Sequence, residues 1–191
     1  MRRVTYAMNV SLDGYIAGPD GSIAWGDPDD AVFRYWLDRI RTLGAQLLGR
    51  RLYEAMLYWE TAEQEGAPLN DAELEWAARW RALPKVVFSS SLTGVQGNAR
   101  LTAGGPDVLA SEVARLRAEQ VRGDIAIGGA TLAAAAAALD LIDEYQAVVH
   151  PVLLGGGMPF FPREGSQVAL ELAETRPIGD QVVLLRYLVR R

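Results

Sequence analysis

Apolar and polar residues alternate through "RRVTYAMNV", with Val4, Tyr6 and Met8 on one face, which predicts a first strand over 2–10. From Ser11 to about Pro28 the alternation gives way to Gly, Asp and Pro, a stretch long enough for a functional loop. Asp29 and Asp30 then open a helical pattern, "DAVFRYWLDRIRTL", where acidic side chains suit the positive end of the helix dipole; Gly44 is expected to end it. "AQLLG" reads as a short buried strand and "RRLYEAMLYW" as a second helix. After a polar stretch from Glu60 to Pro68, Asn70 and Glu73 have capping-box spacing for a helix over "DAELEWAARWRAL". Trp76 and Trp80 share a face of that helix, as part of the core or of a subunit contact.

"KVVFSS" and "ARLTA" predict two more strands, and Pro106 opens the amphipathic helix "DVLASEVARLRAEQV". "DIAIGGATLAAAAAAL" reads as strand, two-glycine turn and alanine helix. The strand "EYQAVVHPVLL", the loop "GGGMPFFP" and two long strand-like runs, "VALELAETRPI" and "QVVLLRYLVR", complete the chain. Strands alternating with helices and closed by a hairpin predict an α/β fold. Its sheet should be mainly parallel with an antiparallel C-terminal edge, and 1–191 should form one domain.

Composition narrows the chemistry. A net charge of -5 argues against a general nucleic-acid binder. No apolar run is long enough to span a bilayer, and polar residues interrupt any signal-like N-terminal core, so a cytoplasmic location is expected. There is no cysteine, and His150 is the only histidine, which excludes thiolate chemistry and leaves a zinc site without its usual ligands; no metal is expected.

Three strand exits carry residues suited to an anion. Gly49 precedes Arg50 and Arg51 at a helix start, Ser89 to Ser91 follow "VVF", and Gly128, Gly129, Ala130 and Thr131 follow "AI". In an open α/β sheet such exits gather ligands, and free N–H groups at helix starts attract phosphate. Arginine forks pair with a phosphate dianion, which suits the 2′-phosphate of NADPH. Read alone, the Gly-Gly step is equally a tight turn, Ser89 to Ser91 a polar turn, and the arginines a solvated first turn. Neither GxGxxG nor a P-loop occurs.

Together the motifs resemble the dihydrofolate-reductase-like proteins, especially the reductase domain of bacterial riboflavin-biosynthesis deaminase-reductases and their stand-alone relatives. "SLDGYIAGPDG", "LLGRRLYEAM", "KVVFSSSL", "IAIGGATL" and "LIDEYQAVVHPVLLGGGMPFF" occur in family order over nearly the whole length. The resemblance implies NADPH as cofactor, with Gly49, Arg50 and Arg51 at its phosphates, Ser89 and Ser90 near the 2′-phosphate, and Gly128, Gly129, Ala130 and Thr131 at the pyrophosphate. It also implies a cis peptide between Gly128 and Gly129, and a nicotinamide pocket lined by Ala7, Val10, Asp13, Gly14 and Ile16. A homodimer is implied too, to which Trp59, Trp76 and Trp80 could contribute surface. Leu52 stands where dihydrofolate reductases usually have threonine, so one hydroxyl contact is lost. "WGDPDD" reproduces their Trp-x-x-Pro-x-Asp pattern, which places Asp30 as the matching acid.

The chemistry so implied is hydride transfer to a small heterocycle such as a pterin or pyrimidine. Reduction of a ribosylamino-pyrimidine phosphate is one case, although no deaminase-like segment precedes the motifs within these residues. The alternative is a non-catalytic nucleotide-binding homodimer of the same fold. Asp30 is the candidate proton relay, with Trp25 shielding it; equally, Asp29 or Asp30 caps the helix, or Asp30 pairs with Arg34 one turn on. Phe33 and Arg34 are candidate substrate contacts, and a cation at Arg34 suits an anionic substrate better than a pterin-benzoyl one. Asp13 holds a turn as readily as it meets a ligand. His150 reads as structural, "GGGMPFFP" as a loop over the cleft, and Phe160 and Phe161 as loop residues or core anchors.

Overall fold

In the computed structural model, which describes residues 1–161 and 167–191, the chain runs through β1 (Val4–Ser11), β2 (Tyr15–Ala17), α1 (Asp30–Arg41), β3 (Leu43–Gly49), α2 (Arg50–Met56), α3 (Tyr58–Thr61) and α4 (Asp71–Ala82). It continues through β4 (Lys85–Phe88), β5 (Ala99–Thr102), α5 (Pro106–Ala118), β6 (Asp124–Gly128), α6 (Ala130–Ala138), β7 (Glu144–His150), β8 (Met158–Pro159), β9 (Leu170–Ile178) and β10 (Val182–Val189). Eight strands form one sheet in the order β5-β4-β3-β6-β1-β7-β10-β9, and β2 pairs with β8 in a small second sheet. β5 to β7 are parallel along that order, whereas β10 runs antiparallel to both β7 and β9. This is the mainly parallel α/β sheet with an antiparallel C-terminal edge that the alternation of elements predicts.

The two faces of β1 pack differently. Val4, Tyr6 and Val10 join Leu47, Ile125 and Ile127 in the main core, closed by Leu109, Val113 and Leu116 of α5 and by Leu132, Ala133 and Ala136 of α6. Alanine suits α6 because a short side chain lets the helix lie close to the sheet while keeping high helix propensity. The other face carries polar residues under α1. Arg39 Nη2 donates to Thr5 Oγ1 at 2.6 Å, Tyr35 OH to Gln146 Oε1 at 2.7 Å, and Trp36 Nε1 to Asn9 Oδ1 at 3.0 Å. Beside them a second cluster, Leu37, Ile40, Leu48, Tyr53, Trp80, Leu83 and Val87, seats α1, α2 and α4.

Caps and turns account for the boundaries. Asp29 Oδ1 accepts from the amides of Ala31 and Val32 and starts α1, while Asn70 and Glu73 complete the predicted capping box of α4. Gly44 does not end α1. The helix stops at Arg41, and Gly44 lies within β3, where a Cβ would stand 2.6 Å from the buried Arg2 guanidinium. Arg2 itself lies before β1, tied to the carbonyls of Gly123 and Leu116 at 2.8 Å each. The long loop after β1 contains β2 and a 3-10 turn over Ala24–Gly26. In "GGGMPFFP", Phe160 is buried and stacked on Tyr6 at 4.5 Å, so it anchors the core, whereas Phe161 is half exposed; Pro162 lies outside the described residues.

Candidate functional site

Strand register brings the predicted exits together. Gly49 is level with Phe88 and Leu48 with Gly128, so β4, β3 and β6 end together; β1 pairs with β6 only as far as Tyr6 and Ile127, and β1 and β7 run on past that point at the same edge to Ser11 and His150. Two helices begin there: α2 after Gly49 and α6 after Gly129. The backbones approach closely, since a Cβ on Gly129 would be 3.8 Å from the Gly49 Cα. Gly129 has φ +96°, a conformation that side-chain-bearing residues rarely adopt. The Gly128–Gly129 peptide is trans, not cis as expected; the reversal is achieved through the positive φ of Gly129.

Neither α2 nor α6 has a side-chain cap or an acidic residue in its first turn. α1 and α4 are capped by Asp29 and Asn70 and carry acids in their first turns; α5 carries Asp107. Free N–H groups and unopposed dipoles at two adjoining helix starts make this edge positive. Arg50 and Arg51 add formal charge. Arg50 Nη1 reaches Glu54 Oε2 at 3.0 Å along its own helix, and Arg51 is exposed, with no carboxylate partner among the described residues. Ser89 is half-buried at the end of β4, its Oγ accepting from the amides of Ser91 and Leu92 at 3.1 Å each, and Ser90 is exposed. Ala130 is half-buried and Thr131 exposed at the start of α6. Leu52, in place of threonine, packs on Gly128, where a Cβ would lie 2.5 Å from its Cδ2. Two concavities of about 450 and 260 Å³ lie elsewhere, and neither is lined by Gly49, Gly128 or Gly129.

The expected nicotinamide residues do not share a side of the sheet. Val10 and Ile16 are buried in the main core, whereas Ala7 lies between Thr5 and Asn9 on the face under α1. The Asp13 carboxylate fastens loops. It accepts from Ser11 Oγ at 2.6 Å and from the amides of Leu154 and Gly155, at 3.1 and 2.7 Å, and the Ser11 hydroxyl bond holds it below the usual carboxylate range. Gly14 turns at φ +89°, its amide bonded to the Ser11 carbonyl at 2.9 Å.

The acid expected in an apolar cleft is in solvent. The Asp30 side chain is 96 % exposed and stands 4.0 Å from Arg34, which is also exposed. Asp30 opens the first turn of α1 and Arg34 follows one turn later; the inward face there is taken by Val32, so α1 presents its acid outward. Phe33 instead joins an aromatic cluster, 6.1 Å from Trp59 and 5.9 Å from Trp76 between ring centres. Trp80 is buried, whereas Phe33, Trp59 and Trp76 are half-buried, so part of this aromatic group reaches the surface.

Trp25 meets His150 edge to face at 5.7 Å, and Trp25 Nε1 and His150 Nε2 are both buried without a hydrogen-bond partner among the described residues. Burial depresses the His150 pKa against the opposing pull of Asp29, so the ring is neutral at pH 7. Asn9 organises this corner and was not singled out from sequence. Its Nδ2 donates to the Gly26 carbonyl at 2.9 Å while its Oδ1 accepts from Trp36, tying the Trp25 turn to α1. Asn9 falls on the polar register of the strand alternation, with Thr5, so its type alone gave no signal. Among the described residues no cluster of three or more His, Asp or Glu side chains could hold a metal ion, and no helix is long and apolar enough to cross a membrane.

The chain is 29% identical over 190 residues to the uncharacterized protein YyaP of Bacillus subtilis, covering 97% of this chain and 94% of that one. A protein of Shewanella sp. PV-4 assigned to riboflavin biosynthesis superposes with TM-score 0.71 at 21% identity, over 99% of each chain. The dihydrofolate reductase of Enterococcus faecalis, solved with NADP(H), superposes with TM-score 0.57 at 16% identity, over 99% of this chain and 97% of that one. Residues 2–184 match the RibD C-terminal domain, and the chain belongs to that family of reductase-type folds.

Proposed function

We propose that the chain is an NADPH-dependent reductase of a small heterocyclic substrate. The observation that carries this reading is the pairing of two uncapped helix starts at one sheet edge, with arginine as their only formal charge. An anion there meets free N–H donors and two dipoles, and α2 and α6 gain the partners that they otherwise lack. Gly128, Gly129, Ala130 and Thr131 would hold the pyrophosphate of NADPH. Arg50, Arg51, Ser89 and Ser90 would hold its 2′-phosphate, which NADH lacks. Bound there, NADPH supplies the hydride. The protein's own part is to fix the cofactor, exclude water and place the substrate beside the ends of β1 and β7, where Asn9 fixes the turn that carries Trp25.

The exposure of Asp30 favours a second reading, because no shielded acid stands at the expected relay position. In that reading the fold binds the nucleotide without turnover, and a proton for reduction would have to come from water or substrate. NADPH oxidation assays with pterin, pyrimidine and quinone acceptors separate the two. Turnover with any acceptor supports the reductase, and tight binding with no oxidation across the set supports the binding protein. Arg50→Ala and Arg51→Ala should each weaken NADPH at least about tenfold, roughly 1.4 kcal/mol, with little change for NADH. Equal losses for both nucleotides would remove the 2′-phosphate assignment.

For the homodimer, the outer end of the sheet is a candidate surface beside the half-buried Trp59 and Trp76. Leu172 on β9 and Val183 on β10 are exposed on a sheet face that also carries Val149 and Leu185. α1 lies on the other face.

A further inference from the structure

We propose that Tyr53 is a positioning residue that locks the serine loop to the arginine helix and thereby sets the preference for NADPH over NADH. The inference rests on the cofactor reading above. Tyr53 lies on α2, two and three residues beyond Arg51 and Arg50. Its ring is only 2% exposed and packs in the cluster with Leu48, Trp80 and Val87. Its hydroxyl leaves α2 and engages both backbone groups of one residue. The oxygen accepts from the Gln96 amide at 2.6 Å, and the O–H donates to the Gln96 carbonyl at 3.4 Å.

Gln96 lies in the loop between β4 and β5, which begins with Ser89. Leu92 and Val95 of that loop rest on the same cluster as Tyr53. The Ser91 and Leu92 amides bond the Ser89 hydroxyl oxygen, so the loop's path decides where that oxygen sits. The far end of the loop is held separately, by Asn98 Nδ2 on the Ala82 carbonyl at 2.8 Å and by the Lys85 amide on the Asn98 carbonyl at 2.9 Å. Removing the Tyr53 hydroxyl therefore loosens the loop from Ser90 to Gln96, while the Ser89 amide stays on the Thr102 carbonyl at 3.1 Å and Asn98 stays attached. The Ser91 and Leu92 amides move, and with them the Ser89 hydroxyl and Ser90 shift relative to Arg50 and Arg51; the group that these residues share is the 2′-phosphate. NADH has no such group, so its binding is unaffected.

The test is Tyr53→Phe, which keeps the ring and its packing. NADPH and NADH are titrated into wild type and variant, and amide hydrogen exchange is followed over the loop and α2. The expected result is NADPH weakened about 5- to 20-fold, NADH changed less than about twofold, and faster exchange at Ser91 and Leu92 with α2 unchanged. Equal weakening of both nucleotides would mean a general structural role and overturn the proposal, as would an unchanged preference. If wild type binds neither nucleotide, the cofactor reading itself fails, and that outcome is visible before any variant is made.

Discussion

His150 ties the chemistry of one side chain to the stability of the whole chain. Burial holds its pKa below the ordinary 6.5, while Asp29 pulls the other way. In the unfolded chain the ring takes up its proton near that ordinary value; in the folded chain it does so only at lower pH. Between the two values the unfolded state binds more protons, so stability falls as pH drops through the ordinary 6.5 and levels off below the depressed folded value. His150→Gln should show a smaller fall in thermal midpoint over that interval than wild type, and identical slopes would contradict the assignment. Asp30→Asn makes the opposite kind of test. With its carboxylate in solvent, the substitution should leave cofactor binding and stability nearly unchanged, within about 0.5 kcal/mol. At this scale the sequence was least informative. The partners of Asn9 and Tyr53 lie 17 and 43 positions away, and no local pattern announces a hydrogen bond across that distance.

Elements were far more legible, because periodicity and capping are local. The capping box of α4 was visible in Asn70 and Glu73, and Asn70→Ala should cost about 1 kcal/mol, lowering the thermal midpoint by roughly 2–4 °C. Boundaries failed where a distant group decided them. Gly44 resembled a helix terminator, but its small size serves the close approach of the Arg122 carbonyl, and then of the Arg2 guanidinium, to β3. The helices on which the proposed function rests are the two whose starts carry no side-chain cap. Thr131→Asp should make this measurable: an acid in the first turn of α6 stabilises the helix by about 0.3–1 kcal/mol and repels a phosphate from the same turn. Thermal stability should rise slightly as NADPH affinity falls, and a parallel rise in both would argue against phosphate at α6.

For the whole molecule, the parallel core, the antiparallel edge and the convergence of three strand exits followed from the order of strands and helices. The division of polar and apolar layers did not. A network of Glu144 with Arg186, Gln146 and Arg3 lies beneath α1. Burial opposes ionisation of Glu144, but its bonds to Arg186 and Gln146 and the charge of Arg39 outweigh it, so the carboxyl stays below the usual range. At the outer edge, Leu172→Asp should shift sedimentation toward the monomer if the β9–β10 face joins two copies; a wild type that is already monomeric would exclude that surface.

All of this depends on positive helix ends converging at the rim of the sheet to grip a phosphorylated dinucleotide. Calorimetric titration of wild-type protein with NADPH, with NADH as the comparison, tests that most directly. The account predicts saturable binding of NADPH at micromolar concentrations, at least about tenfold tighter than NADH. Absence of heat from either nucleotide up to about millimolar concentration, where only interactions weaker than about 4 kcal/mol would escape detection, would contradict it.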